Sequence, residues 1–209
     1  MCSGKNNTDD GELQIFTGLG DVSKLGTIVT FNNKTEEDIW PRSDEDDGQE
    51  CNSIRGSDGS LFPPFVSKNQ TFYIYNKEMC RSLALQFSVG SEVGGARLML
   101  LLQETVSHHG LETLRFTPSR RSFTSGDSPC YCPGSGCAPD GMFNVSRCQG
   151  GAPMLLSWPH FYNGDQALLT QVEGLKPDQQ KHEFAVDILP QLGVGLRAAI
   201  RLQINIFIE

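Results

Sequence analysis

The sequence is short of positive charge. Its 209 residues include 17 Lys and Arg against 25 Asp and Glu, which gives a formal net charge of −8. Nucleic-acid binding requires clustered Lys and Arg, and adhesion to an anionic membrane requires a basic segment. The charge balance therefore argues against both kinds of partner.

Long apolar runs are also lacking. The longest, Leu98 to Leu102, is far below the ~18 residues needed to cross a bilayer. The first residues, MCSGKNNTDDG, contain no apolar h-region and do not resemble a signal peptide. Because other features indicate an extracellular protein, we interpret the chain as a piece of a longer membrane or secreted protein.

Catalytic signatures are scarce. There is no G-x-S-x-G nucleophile elbow and no glycine-rich phosphate loop that opens a helix after a strand. His160 lies in an apolar stretch, which favours a packed structural histidine. We predict a protein that is not an enzyme and needs no cofactor. A hydrolase is a distant alternative, for which the residues of suitable type are Ser157, His160, Asp165, His182 and Asp187.

The cysteines are numerous and clustered. Six of the seven cysteines fall between residues 51 and 148, and Cys2 stands apart. The run CYCPGSGC lacks paired C-x2-C spacing, and the four histidines show no metal-ligand spacing, so a disulfide knot is favoured over zinc. Six cysteines allow 15 pairings, and spacing alone does not choose among them. The six are Cys51, Cys80, Cys130, Cys132, Cys137 and Cys148.

Four N-x-Ser/Thr sequons accompany the cysteines. One sequon is weak evidence, but four beside six clustered cysteines indicate an oxidising, secretory compartment and a glycoprotein. The predicted glycosylation sites are Asn6, Asn33, Asn69 and Asn144.

Hydrophobic periodicity favours strands. Two candidate strands lie within residues 13–31, and Thr71 to Tyr75 and Leu111 to Phe116 add two more. From Leu196 to Ile208 every even position is apolar and most odd positions are polar, which predicts one long strand with a buried face. Such a strand suits a barrel or a large curved sheet. Ala96 to Val106 is the candidate for a short helix, and the acidic residues 35–50 are interpreted as a solvated loop rather than a calcium site.

Several long motifs resemble the class B scavenger receptor family. They include SLFPPFVSKNQTFYIYNKEMCRSL, APMLLSWPHFYN and the final RLQINI strand, which follow one another in the family's order. The resemblance implies a mainly β (α+β) fold, half of an antiparallel β-barrel-like ectodomain with short helices and a disulfide knot. Residues 1–209 would be the C-terminal half of that ectodomain, without the two membrane helices of the family. It also implies the disulfides Cys51–Cys130, Cys80–Cys148 and Cys132–Cys137, with Cys2 unpaired.

The same resemblance implies a membrane receptor that binds and transfers lipids. Expected ligands are fatty acids, sterols, phospholipids and lipoproteins, together with apoptotic or microbial surfaces, and homo-oligomers are among the expected assemblies. The expected location is the extracellular face of the plasma membrane, with the lumenal face of the lysosomal membrane as the alternative. Alternating strands suit the wall of an apolar tunnel, for which the candidates are Phe65, Phe72, Ile74, Ile200, Leu202, Ile204 and Ile206.

Two alternatives stay open at this point. The chain could be a glycosylated adhesion or structural module that has no tunnel, and each tunnel candidate could be plain barrel core. Residues 92–109 also depart from the family pattern and are interpreted as an insertion. A gene-model error such as a retained intron is the favoured explanation, and a lineage-specific loop is the other.

Overall fold

The computed structural model describes residues 11–41, 49–88, 106–108, 110–119, 129–132 and 136–207. In this part of the chain strands outnumber helices, and the paired strands are antiparallel. The fold is a curled half-barrel with a few short helices and three disulfides. The predicted mainly β class is thus confirmed.

The elements follow in chain order. The strands are β1 (Leu13–Ile15), β2 (Ile28–Phe31), β3 (Thr71–Asn76), β4 (Arg81–Phe87), β5 (Val106–His108), β6 (Leu111–Pro118), β7 (Met142–Asn144), β8 (Met154–Ser157), β9 (Ala185–Leu189), β10 (Val194–Ala199) and β11 (Gln203–Ile206). The α-helices are α1 (Gln49–Asn52), α2 (Gln166–Thr170) and α3 (Gln179–His182), and 3-10 turns lie at Val22–Lys24, Pro129–Tyr131 and Pro159–Phe161.

A central sheet organises the chain. Its strand order is β10-β9-β6-β4-β3, and β5 pairs with the first residues of β6, Leu111 to Thr113. Phe116 on β6 stands opposite Phe87 of β4 and Val186 of β9, so this strand joins the two halves of the sheet. A smaller sheet has the order β11-β8-β7, and β1 and β2 form a separate hairpin.

The main core lies on one face of the central sheet. Leu85, Phe116 and Ile188 are completely buried there, and Phe72 meets Phe116 edge to face with ring centroids 5.1 Å apart. Side chains from the smaller sheet, among them Leu156, pack on the same cluster. Along β4 buried and less buried residues alternate, which supplies one buried face, whereas β9 is buried on both faces.

The predicted strand from Leu196 to Ile208 is wrong in its extent. The structure breaks it into β10 and β11, which belong to different sheets. Its predicted buried face is also wrong along β11, because Ile204 is 64% exposed and Ile206 is 58% exposed. The polar residue Asn205 points inward instead, where its Nδ2 donates to the Ser157 Oγ at 3.1 Å.

Shorter strand predictions fared better. Thr71 to Tyr75 lies within β3, and Leu111 to Phe116 lies within β6. The helix predicted from Ala96 to Val106 falls outside the described residues apart from Val106, which begins β5. Among the described helices, none is long and apolar enough to cross a membrane.

Candidate functional site

The tunnel candidates separate into two groups. Phe72, Ile74 and Leu202 are partly buried and pack against the main core, so these three are core residues in this structure. The others project into solvent with large exposed fractions: Phe65 76%, Ile200 66%, Ile204 64% and Ile206 58%. The structure therefore does not gather all seven candidates on one surface.

The exposed group concentrates at the C-terminal end. Ile200, Ile204, Ile206 and Phe207 lie within eight residues of chain, and each is more than half exposed. Ile204 and Ile206 lie on β11, Ile200 precedes it and Phe207 follows it. Scattered exposed hydrophobic residues are ordinary, but several close together on and beside one strand mark a surface that something else covers. We call these four side chains the C-terminal apolar strip. The backbone of its β11 part is fixed because β11 pairs in register with β8, with Ile204 opposite Leu156.

A cleft of about 190 Å³ opens at the far end of β4 and β6. Trp158 and Phe184 form part of its wall, with ring centroids 5.7 Å apart, and both are almost fully buried. Hydroxyl, amide and carboxylate groups complete it. The lining residues are Gln86, Phe87, Ser88, Thr117, Pro118, Ser119, Trp158, Tyr162, Asn163, Gln179, Glu183 and Phe184.

Three disulfides are formed in the structure. Cys51–Cys130, Cys80–Cys148 and Cys132–Cys137 have Cα separations of 6.4, 5.8 and 4.6 Å, within the usual range of protein disulfides. Cys51 and Cys130 pack with Trp40 in a small buried cluster. Cys2 lies outside the described residues.

Arg81 is buried beside these disulfides. Its guanidinium carbon lies 3.8 Å from the Tyr131 ring centroid, 4.8 Å from Phe143 and 5.0 Å from Trp40, so three aromatic faces surround the cation. Its Nη2 donates to the Asn144 carbonyl at 3.0 Å. Burial lowers the pKa of Arg81 to about 10, which leaves the guanidinium charged at neutral pH. The sequence did not predict this cage.

A second buried charge lies in the central sheet. Asp187 on β9 is 1% exposed. Its Oδ1 accepts from Arg115 Nε at 2.7 Å, and its Oδ2 accepts from Arg115 Nη2 at 2.9 Å and lies 2.8 Å from His108 Nε2. Burial favours a higher pKa for Asp187, but the hydrogen bonds and charges of Arg115 and His108 outweigh it, so the pKa is lowered.

The hydrolase residues are engaged elsewhere. The Ser157 hydroxyl is fully buried and donates to the Trp158 carbonyl at 3.1 Å. Asp165 caps α2, and Asp187 holds Arg115. His160 Nδ1 accepts the Lys176 N–H at 3.1 Å rather than meeting the serine. In the described part of the chain, no three His, Cys, Asp or Glu side chains form a group that could hold a metal.

The sequons differ in exposure. Asn33 and Asn69 are exposed, whereas Asn144 is partly buried. The Asn144 Oδ1 accepts from the Ser146 N–H at 2.9 Å. Asn6 lies outside the described residues.

Of the predicted insertion at 92–109, only residues 106–108 are described, and they form β5.

Comparison with known proteins identifies the family. The CD36 family model matches residues 1–209. The chain belongs to the CD36 family. The class B scavenger receptor resemblance is thereby confirmed, and this is a family of receptors.

Three relatives place the CD36-family chain within longer proteins. It is 33% identical to Protein peste of Drosophila melanogaster, with 96% of this chain and 33% of that protein covered. It is 34% identical to human Lysosome membrane protein 2, covering 98% of this chain and 39% of the relative. It is 31% identical to Scavenger receptor class B member 1 of Cricetulus griseus, covering 98% and 36%. The chain thus spans between a third and two fifths of each relative's length.

Proposed function

We propose that this chain is the C-terminal half of the ectodomain of a membrane scavenger receptor that binds and transfers lipids and lipoproteins. The observation that carries the proposal is the C-terminal apolar strip, a group of exposed aliphatic and aromatic side chains on and beside the paired strand β11. An acyl chain or sterol would gain roughly 25 cal/mol for each Å² of apolar surface it covers there. Fatty acids, sterols and phospholipids share the required apolar body.

The electrostatics restrict what this half contributes. With a net charge of −8, the chain is unsuited to attract polyanionic surfaces. Uptake of apoptotic or microbial particles, and assembly into homo-oligomers, therefore belong in our proposal to the whole receptor. What this half contributes is an apolar wall braced by disulfides.

The proposal extends to the layout of the receptor. Membrane helices would flank the ectodomain outside these 209 residues, and residues 92–109 would be an insertion between β4 and β6. Glycans at Asn33 and Asn69 would emerge from exposed positions, with Asn6 and Asn144 as further sites. One relative is named a lysosome membrane protein, which supports a lysosomal membrane as well as a plasma membrane location.

Charge placed in the C-terminal apolar strip should weaken lipid binding. We expect Ile204→Lys to raise the Kd of a fluorescent fatty acid by about tenfold or more, because it replaces a side chain whose burial is worth about 1.5–3 kcal/mol with a cation. Binding would be measured by fluorescence titration of the monomeric 209-residue chain, with a fluorescent sterol as a second probe.

Val172→Lys is the matched control. Val172 is also more than half exposed, at 56%, but it follows α2 and lies outside the strip. It should leave the Kd unchanged. Equal effects of the two substitutions, or the lack of saturable binding by the unsubstituted chain, would overturn the proposed lipid wall in favour of an adhesion module.

A further inference from the structure

Two histidines from separate segments stack on each other. His160 lies in the turn after β8, and His182 is the last residue of α3. Their ring centroids are 4.5 Å apart, and the ring planes differ by only 15°. Two imidazoles stack closely at little electrostatic cost only while at least one of them is neutral, since two imidazolium rings at this distance repel.

Each ring is also tied to backbone through Nδ1. The Lys176 N–H donates to His160 Nδ1 at 3.1 Å, and the Asp178 N–H donates to His182 Nδ1 at 2.9 Å. A ring nitrogen that accepts a hydrogen bond carries no proton, so both imidazoles are neutral with their hydrogen on Nε2. Protonation would put a hydrogen on Nδ1 and break both bonds to the 176–178 backbone.

Burial and the surrounding charges favour the neutral form of His182. Burial lowers the pKa of His182, the charge of a protonated His160, Lys181 and Arg201 lowers it further, and Asp178 opposes them. The charged or titratable side chains carried by the packed segments are His160 in the turn after β8, Lys176, Asp178, Lys181 and Glu183 in and beside α3, and Arg201 before β11.

The turn that carries His160 is held in an unfavourable conformation. His160, Phe161 and Asn163 all have positive φ, at 55°, 51° and 59°, a region that residues with a side chain rarely adopt. Such a turn persists only where its surroundings fix it. Its fixed points include the His182 stack and the bond from the His160 N–H to Gln203 Oε1 at 3.0 Å.

We propose that His160 and His182 form a pH-sensitive latch that joins the 158–163 turn to the 176–183 segment while both rings are neutral, and that releases when they are protonated. Both segments contribute to the lining of the cleft, with Trp158, Tyr162 and Asn163 from the turn and Gln179 and Glu183 from the 176–183 segment. Release would therefore widen the cleft at acidic pH. This inference goes beyond lipid binding and does not depend on it.

The sign of the pH dependence follows from the neutral pair. The pKa of His182 is lowered in the folded chain, so the unfolded segment protonates this residue first as the pH falls below the ordinary histidine pKa of about 6.5. The latch contributes its full stability above that pH and loses it progressively as the pH falls towards the folded pKa. A metal on Nε2 is a poor alternative, because that nitrogen holds the hydrogen while Nδ1 accepts.

Amide hydrogen exchange on the disulfide-bonded 209-residue chain would test the latch. We expect the protection of the Lys176 and Asp178 amides, corrected for intrinsic exchange, to fall by about tenfold or more between about pH 7.5 and about pH 5. Nitrogen-15 chemical shifts of the ring nitrogens should show both histidines as Nε2–H tautomers at the higher pH. A proton on Nδ1 of either ring at that pH would overturn the proposal without any variant.

Two variants distinguish loss of the hydrogen-bond acceptor at Nδ1 from protonation of the ring. In the double variant His160→Asn, His182→Asn, each amide oxygen takes the place of Nδ1 but does not titrate, so protection should persist at acidic pH. His182→Gln moves the amide away from Nδ1 and should lower Asp178 protection about tenfold already at neutral pH. The proposal fails if wild-type protection is independent of pH, or if the asparagine variant loses protection on acidification as the wild type does.

Discussion

Replacing both Cys51 and Cys130 with alanine is expected to lower the free energy of unfolding by about 4 kcal/mol. The bridge joins residues 79 apart in sequence, and the loss of chain entropy that a crosslink imposes on the unfolded state grows with the logarithm of the loop it closes. In a chain of this size, a decrease of about 4 kcal/mol in the free energy of unfolding corresponds to a fall in Tm of roughly 8–16 °C. Urea unfolding followed by circular dichroism under non-reducing conditions would measure it.

The Cys132–Cys137 bridge provides the matched comparison. It closes a loop of sequence separation 5, so replacing both cysteines should cost only about 2 kcal/mol by the same relation. The Cys51–Cys130 variant should lose more stability than loop length alone predicts, because Cys51 is also buried against Trp40. Equal losses for the two bridges would show that loop length does not govern their contribution. Mass spectrometry of non-reduced peptides would establish which cysteines are joined.

Sequence periodicity located individual strands better than it predicted their surroundings. TFYIY became β3 because aromatic and β-branched side chains fit a pleated, half-buried surface wherever the strand is placed. The final segment has an even stronger alternation, yet the chain leaves one sheet after Ala199 and enters another at Gln203. Alternation fixes which side chains share a face. It does not fix which face is covered, since that depends on what packs against the strand.

The buried charges depended on contacts that are distant in sequence. Arg115 and His108 reach Asp187 across separations of 72 and 79 residues. One local signal was available, namely the single carboxylate in the middle of the apolar run EFAVDIL. A charge at such a position requires a partner when the strand is buried on both faces. The sequence could therefore indicate that Asp187 is paired, but it could not name the partners.

Asp187→Asn is expected to destabilise the fold by about 3 kcal/mol. The substitution keeps the size of the side chain but removes the charge that balances Arg115, and breaking a buried ion pair from one side costs roughly 3–5 kcal/mol. We expect the lower end of this energy range because the Arg115 side chain is 31% exposed and can recover some hydration. Glu112→Gln on β6, the strand that carries Arg115, is the control. Glu112 is exposed, so its loss should change the free energy of unfolding by less than about 0.5 kcal/mol.

The pH dependence of the same variant gives an independent test. The pKa of Asp187 is lowered in the folded chain, so the unfolded state takes up this proton first as the pH falls below about 3.9. Stability contributed by Asp187 is present above that pH and is lost as the pH falls through the folded pKa. Asp187→Asn should remove this part of the acid sensitivity. The free energies of unfolding of the wild type and the variant should therefore converge as the pH falls. Parallel curves down to the acid limit would mean that the carboxylate is not held by Arg115 and His108 in solution.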